Sequence, residues 1–186
     1  MPLPYGERVR DESRAGPADP TPPLLFLDVD GPLNPYAAQA QRRPEGYTTI
    51  RVTLHPDRPL RVWLNPSHGA ALLGLGYELC WATTWMAAAN EHIAPVIGLP
   101  ELPWVDFGTS LFAERPDGVH WKTEAILRYA AGRAFAWVDD EQSPADHAHV
   151  AAHHPAPALL HHVDPRIGLR EDDFTALAEF AAAQTE

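Results

Sequence analysis

The stretch Leu24 to Pro35, LLFLDVDGPLNP, constrains the fold more than any other part of the chain. A four-residue apolar run stops at Asp28, and Asp30 and Gly31 follow at once. An apolar run that passes straight into a turn reads as a buried strand of a parallel sheet, with both carboxylates at its C-terminal edge. That edge is where open α/β sheets bind ligands. Two carboxylates one residue apart repel each other, so a buried pair there calls for a cation, a shared proton or a substrate. The plainer alternative is a strand cap and turn, because Asp and Gly are common turn residues.

Three later segments favour the chemical reading. Tyr77-Glu-Leu-Cys-Trp-Ala82 reads as a second strand and ends in Thr83-Thr84. Val119-His-Trp-Lys122 precedes a pattern in which Ala125, Ile126, Tyr129 and Ala130 recur at helical spacing. Phe135-Ala-Trp-Val138 is another short apolar run, and it ends in Asp139-Asp140. The order is strand–Asp-x-Asp, strand–Thr, Lys at a helix start, strand–Asp-Asp. Each piece is weak alone, and the ordered set is specific.

In this order of motifs the chain resembles the phosphatase branch of the haloacid dehalogenase-like (HAD) superfamily, over Leu24 to Asp146. The resemblance implies an α/β, Rossmann-like three-layer α/β/α sandwich with a mostly parallel sheet. It implies Asp28 as nucleophile and Asp30 as general acid/base, with Thr83 and Lys122 holding the transferring phosphoryl group. Asp28, Asp139, Asp140 and the main-chain carbonyl of Asp30 would then hold Mg2+. The residue after the glycine is commonly Thr or Val in the family and is Pro32 here. Proline offers no N–H and stiffens the loop.

The residue chemistry supports this independently. An aspartate attacks an anionic phosphoryl group only when its charge is neutralised, and magnesium takes carboxylate, water and phosphate oxygens as ligands. A lysine adds a point charge and a threonine an oriented donor. An aspartyl phosphate splits the displacement into two easier steps. Asp30 would protonate the leaving oxygen and then deprotonate the attacking water. Simpler roles compete at each position: a helix cap for Thr83, a solvated helix start for Lys122, a turn for Asp139-Asp140. Asp139 is slightly favoured over Asp140 as direct ligand.

The 186 residues suffice for one substantial core, and the 45% hydrophobic content is ordinary. A formal net charge of −11 argues against a broad nucleic-acid surface. The expected partner is therefore a small-molecule phosphomonoester. A polynucleotide end is a second candidate, because some relatives of this motif set are associated with nucleic-acid end repair, but the charge disfavours it. Cys80 is the only cysteine and falls in a core strand, so a buried structural thiol is expected. No segment approaches a membrane span, and a cytoplasmic location is expected.

Residues 1–23 are rich in proline and charge and read as a loosely attached arm preceding one domain, 24–186. Within it, residues 35–64 read as a small cap insertion. Tyr47 to Leu54 and Leu60 to Leu64 alternate around His55-Pro-Asp-Arg-Pro59, a β-hairpin signal. Its size predicts an open pocket. Asn65-Pro-Ser67 starts a helix towards Leu72, Leu73 and Leu75. Histidines gather in segment 147–162, at positions 147, 149, 153, 154, 161 and 162, without the spacing of a closed zinc site. A loop, a short helix and a strand from Ala158 to Val163 are expected there. Phe174, Leu177, Ala178 and Ala181 mark a final packing helix.

Other classes remain. A phospho-receiver combines similar residues, but its paired acids come first and its phosphorylated Asp later, the reverse of this order. A non-catalytic binding domain of the same fold and a phosphotransferase both stay open. No Gly-x-Ser-x-Gly elbow, Walker loop or dinucleotide fingerprint suggests another mechanism.

Overall fold

The structure is a computed structural model and describes residues 21–53 and 59–184. Four strands, β1 (Leu24–Leu27), β4 (Glu78–Trp81), β5 (Phe135–Asp139) and β6 (Ala158–His162), form a parallel sheet in the order β4-β1-β5-β6. A separate antiparallel hairpin pairs β2 (Thr48–Val52) with β3 (Leu60–Leu64).

Alternation along the strands sends side chains to two cores. Leu25, Leu27, Leu79, Trp81, Ala136 and Val138 face one side. There they meet Leu72 of α1 (His68–Leu73), Ala89 of α2 (Ala88–His92), Ala94 and Ile97 of α3 (Ala94–Ile97) and Leu177 of α6 (Glu171–Ala182). Leu24, Phe26, Cys80, Phe135, Trp137 and Leu160 face the other. They pack on Ala125, Ile126 and Ala130 of α4 (Thr123–Ala130) and Val150 of α5 (Pro144–His153). The result is the expected three-layer α/β/α sandwich. Strands buried on both faces explain why the sequence shows continuous apolar runs in place of alternation.

The chain leaves β1 towards β4, then crosses back over β1 to reach β5. Where neighbouring strands connect in opposite directions, a crevice opens at their carboxyl ends. Leu27 pairs with Trp81 on one side and Val138 on the other, which places Asp28 beside Asp139 at that crevice.

The expected hairpin forms, although its first strand ends at Val52; Leu54 and the turn residues His55 to Arg58 lie outside the described residues. Val52, Val62 and Leu64 are buried in the first core, so the hairpin is packed into the body of the domain. Residues 1–20 of the expected arm also lie outside the described residues, whereas the carbonyls of Pro22 and Pro23 accept from Arg133 Nη2 and the Glu78 N–H. Cys80 is fully buried. No described helix is long and apolar enough to cross a membrane.

Candidate active site

The cleft over the carboxyl ends of β1 and β5 has a volume of about 480 Å³ and is lined by Asp28, Asp30, Thr84, Lys122 and Asp140 among others. Lys122 is the pivot. It immediately precedes α4, is 1% exposed, and its Nζ donates to Asp28 Oδ2 and Asp139 Oδ2, each at 2.7 Å. Burial opposes its charge, but Asp28 and Asp139 outweigh that and hold the ammonium above the ordinary lysine range. A solvated helix-start lysine is thereby excluded.

Two strand-end carboxylates flank that ammonium. Asp28 Oδ1 accepts the Val29 N–H at 2.7 Å. Burial pushes the Asp28 carboxyl up to about 7, against the opposing pull of Lys122. Asp139 is fully buried, and both its oxygens are engaged: Oδ2 also accepts from Trp137 Nε1 at 3.0 Å, and Oδ1 from the Glu141 N–H at 3.0 Å. Asp140 is different. It lines the cleft, accepts from Tyr36 Oη at 3.0 Å, and burial raises its carboxyl to about 6. Carboxylate oxygens of Asp28, Asp139 and Asp140 lie within 4.8 Å of one another.

This donor set suits a hard divalent cation. It is all oxygen, partly open to the cleft, and holds three acids against one lysine. Burial is the main cause of the raised Asp28 and Asp140 carboxyls, and the negative charge of Asp139 adds to both. The Asp30 carboxylate stands outside this cluster. Its Oδ1 accepts from Asn34 Nδ2 at 2.7 Å and its Oδ2 from Trp85 Nε1 at 2.8 Å.

Gly31 follows with φ +94°, and a Cβ there would meet Asp140 side-chain atoms at 2.5 Å. Only glycine lets the first loop turn and Asp140 close over it.

Thr83 is 1% exposed, and its hydroxyl reaches the Asp28 carboxyl. The same oxygen accepts the Trp85 N–H at a long 3.4 Å. Helix α2 starts only at Ala88, so Thr83 sits on a turn and does not cap that helix. Thr84, its neighbour, is the one that lines the cleft.

Sequence reasoning missed Asn34, Tyr36, Trp85 and Asp146. The Asp146 carboxylate is buried and accepts from the His120 N–H at 2.7 Å, Thr123 Oγ1 at 2.6 Å and Ser143 Oγ at 2.7 Å, pinning the turn that carries Lys122. The Ser143-Pro-Ala-Asp146 capping-box spacing was the available signal.

The histidine segment folds into α5 and β6. His149 and His153 stack on each other and His149 also meets Glu124, while His154 Nε2 pairs with the Arg133 carbonyl and His161 Nε2 with Asp173 Oδ1. Among the described residues, the only group of three or more potential metal-ligating side chains is Asp28, Asp139 and Asp140.

Comparison with curated proteins and with solved structures gives no match. A family model described as the HAD domain in Swiss Army Knife RNA repair proteins matches residues 24–174, most of the chain and all of the site just described. The chain therefore belongs to the HAD-like hydrolase superfamily, in the family of HAD domains of Swiss Army Knife RNA repair proteins.

Proposed function

We propose that this chain is a magnesium-dependent phosphatase that hydrolyses a phosphomonoester through an aspartyl phosphate. One observation carries the reading: Asp28, Asp139 and Asp140 converge with Lys122 at the carboxyl ends of two adjacent parallel strands, inside one cleft. Asp28, Asp139 and Asp140 would hold Mg2+, with the Asp30 carbonyl as a further ligand; the ion would neutralise phosphoryl charge. Asp140 is the better placed of the pair to face a cation from the cleft, because Asp139 already has both oxygens occupied.

A carboxylate oxygen of Asp28 attacks phosphorus, and the ester P–O bond breaks. Asp30 gives its proton to the departing oxygen. Asp30 then takes a proton from water, which attacks phosphorus and releases phosphate and free Asp28. Lys122 keeps Asp28 oriented and offsets charge. Thr83 holds the nucleophile, and Thr84 offers a hydroxyl to the phosphoryl oxygens from the cleft wall. Asn34 and Trp85 fix the Asp30 carboxylate from two sides.

The family description concerns RNA repair, and it favours a phosphorylated polynucleotide end over a small metabolite as substrate. Turnover of an aryl phosphate, a phosphorylated mononucleotide and terminally phosphorylated RNA, each with magnesium and with EDTA, tests both parts. EDTA should abolish activity and magnesium restore it. Full activity in a verified metal-free sample contradicts the mechanism.

A further inference from the structure

The charge of this chain is unevenly distributed. Of its 14 Lys and Arg and 25 Asp and Glu, five arginines but only two acids fall in residues 35–64, the segment at the mouth of the cleft. The whole-chain charge of −11 conceals a basic segment beside the candidate site.

Geometry sharpens this. Arg51 of β2 and Arg61 of β3 are directly opposed in the antiparallel register, on one face of the hairpin. Like charges in that relation destabilise a sheet. Among the described residues no carboxylate pairs with either, nor with Arg42 or Arg43, whereas Arg115, Arg133 and Arg166 each have an acidic partner. Arg61 is held in place, with its guanidinium 3.8 Å over the Trp63 ring and Nη1 donating to the Ala40 carbonyl. That bond draws the segment carrying Arg42 and Arg43 up to the hairpin. Leu60, Arg61 and Val62 line the cleft that holds Asp28. Guanidiniums without acidic partners, on the segment that sets Arg61 at the lining of the cleft, fit a chain of phosphates.

A surface for single strands also needs a face on which a base can stack. Phe112 lines the same cleft, is 67% exposed, and is held at φ +57° with its ring 5.4 Å from that of Trp121. An exposed aromatic at the cleft mouth offers a face of the kind on which a base stacks.

We infer that the hairpin insertion is a track for a single RNA strand: Arg42, Arg43, Arg51 and Arg61 take backbone phosphates next to the end that enters the cleft, and Phe112 stacks the terminal base. This rests on the phosphatase reading for what happens to that end, but the track binds strand whether or not the end carries a phosphate.

The test uses an unphosphorylated, fluorescently labelled short RNA and the full chain, with binding read by anisotropy across a salt series. Affinity should fall steeply with salt. The triple variant Arg42→Glu, Arg43→Glu, Arg51→Glu should bind at least about tenfold more weakly, with the salt slope reduced by about 0.7 for each phosphate that is no longer neutralised. The milder triple change to Gln should fall between, which keeps the result readable if the Glu variant misfolds. Phe112→Ala should weaken binding with the salt slope unchanged. Wild-type affinity in both triple variants overturns the inference, as does competition by polyaspartate as effective as that by RNA. Turnover of an aryl phosphate by the wild type, measured alongside, reports separately on the phosphatase reading.

Discussion

Asn34 donates from Nδ2 to Asp30 Oδ1 at 2.7 Å, while its own Oδ1 accepts the Trp63 N–H at 3.0 Å. One buried amide thus ties the proposed acid/base to the hairpin. Asn34→Ala should lower kcat about tenfold, more for poor leaving groups than for good ones, because proton delivery is what it orients. It also leaves the buried Trp63 N–H unpaired, at a cost of about 1–3 kcal/mol. Turnover of aryl phosphates of graded leaving-group pKa, with urea melts, checks both effects. Equal loss across the series would assign Asn34 a purely structural role.

Lys122 lies between two buried carboxylates, and removing it leaves both uncompensated. Lys122→Met should abolish turnover and destabilise the fold by about 3–5 kcal/mol. Denaturant unfolding without metal measures this. Stability unchanged from wild type would mean that the lysine is not the counter-charge the geometry implies.

Gly31→Ala places a methyl group into Asp140 on a backbone that L side chains rarely adopt. The strain should cost about 1–3 kcal/mol and displace Asp140, so the concentration of magnesium needed for activity should rise. Magnesium titration of turnover, with thermal melts, separates the two. An unaltered magnesium requirement would remove Asp140 from the cation site.

His68 supplies a pH prediction away from the cleft. It is 4% exposed, packs edge-on against Tyr47 and Phe174, and burial lowers its imidazole from 6.5 to about 4. The folded protein keeps it neutral at pH values where the unfolded chain is already protonated. Its contribution is complete above about pH 6.5 and is lost as pH falls towards 4, reaching about 3 kcal/mol. Denaturant melts across that window should show a weaker acid dependence in His68→Leu than in wild type. Identical pH profiles would contradict the assignment.

The first and third strands of the parallel sheet were legible because a strand buried on both faces writes itself as an apolar run, and Asp28 and Asp139 follow from where those runs stop. Lys122 and Thr83 needed the order of motifs as well, since one lysine or threonine has many ordinary uses. Asn34, Tyr36 and Trp85 were not legible. Their partners depend on loop conformation, and Trp85 reaches Asp30 from 55 residues away and Tyr36 reaches Asp140 from 104. The helix after Thr83 begins later than its sequence suggests, because Met86 takes a left-handed φ of +46° and the turn from Thr83 to Asn90 is closed by i→i+3 bonds. The arginines of residues 35–64 were present in the composition but averaged into a net charge, which records no position.

The most direct test of the account is where the phosphoryl group goes. With magnesium and an aryl phosphate, the Asp30→Asn protein should form phosphoenzyme faster than it hydrolyses it, because a good leaving group departs with little protonation. Rapid acid quench and peptide mapping should then find one phosphoryl group on Asp28, and Asp28→Asn should remove both this adduct and turnover. Turnover that survives Asp28→Asn, or a phosphoryl group mapped to any other residue, would contradict the account.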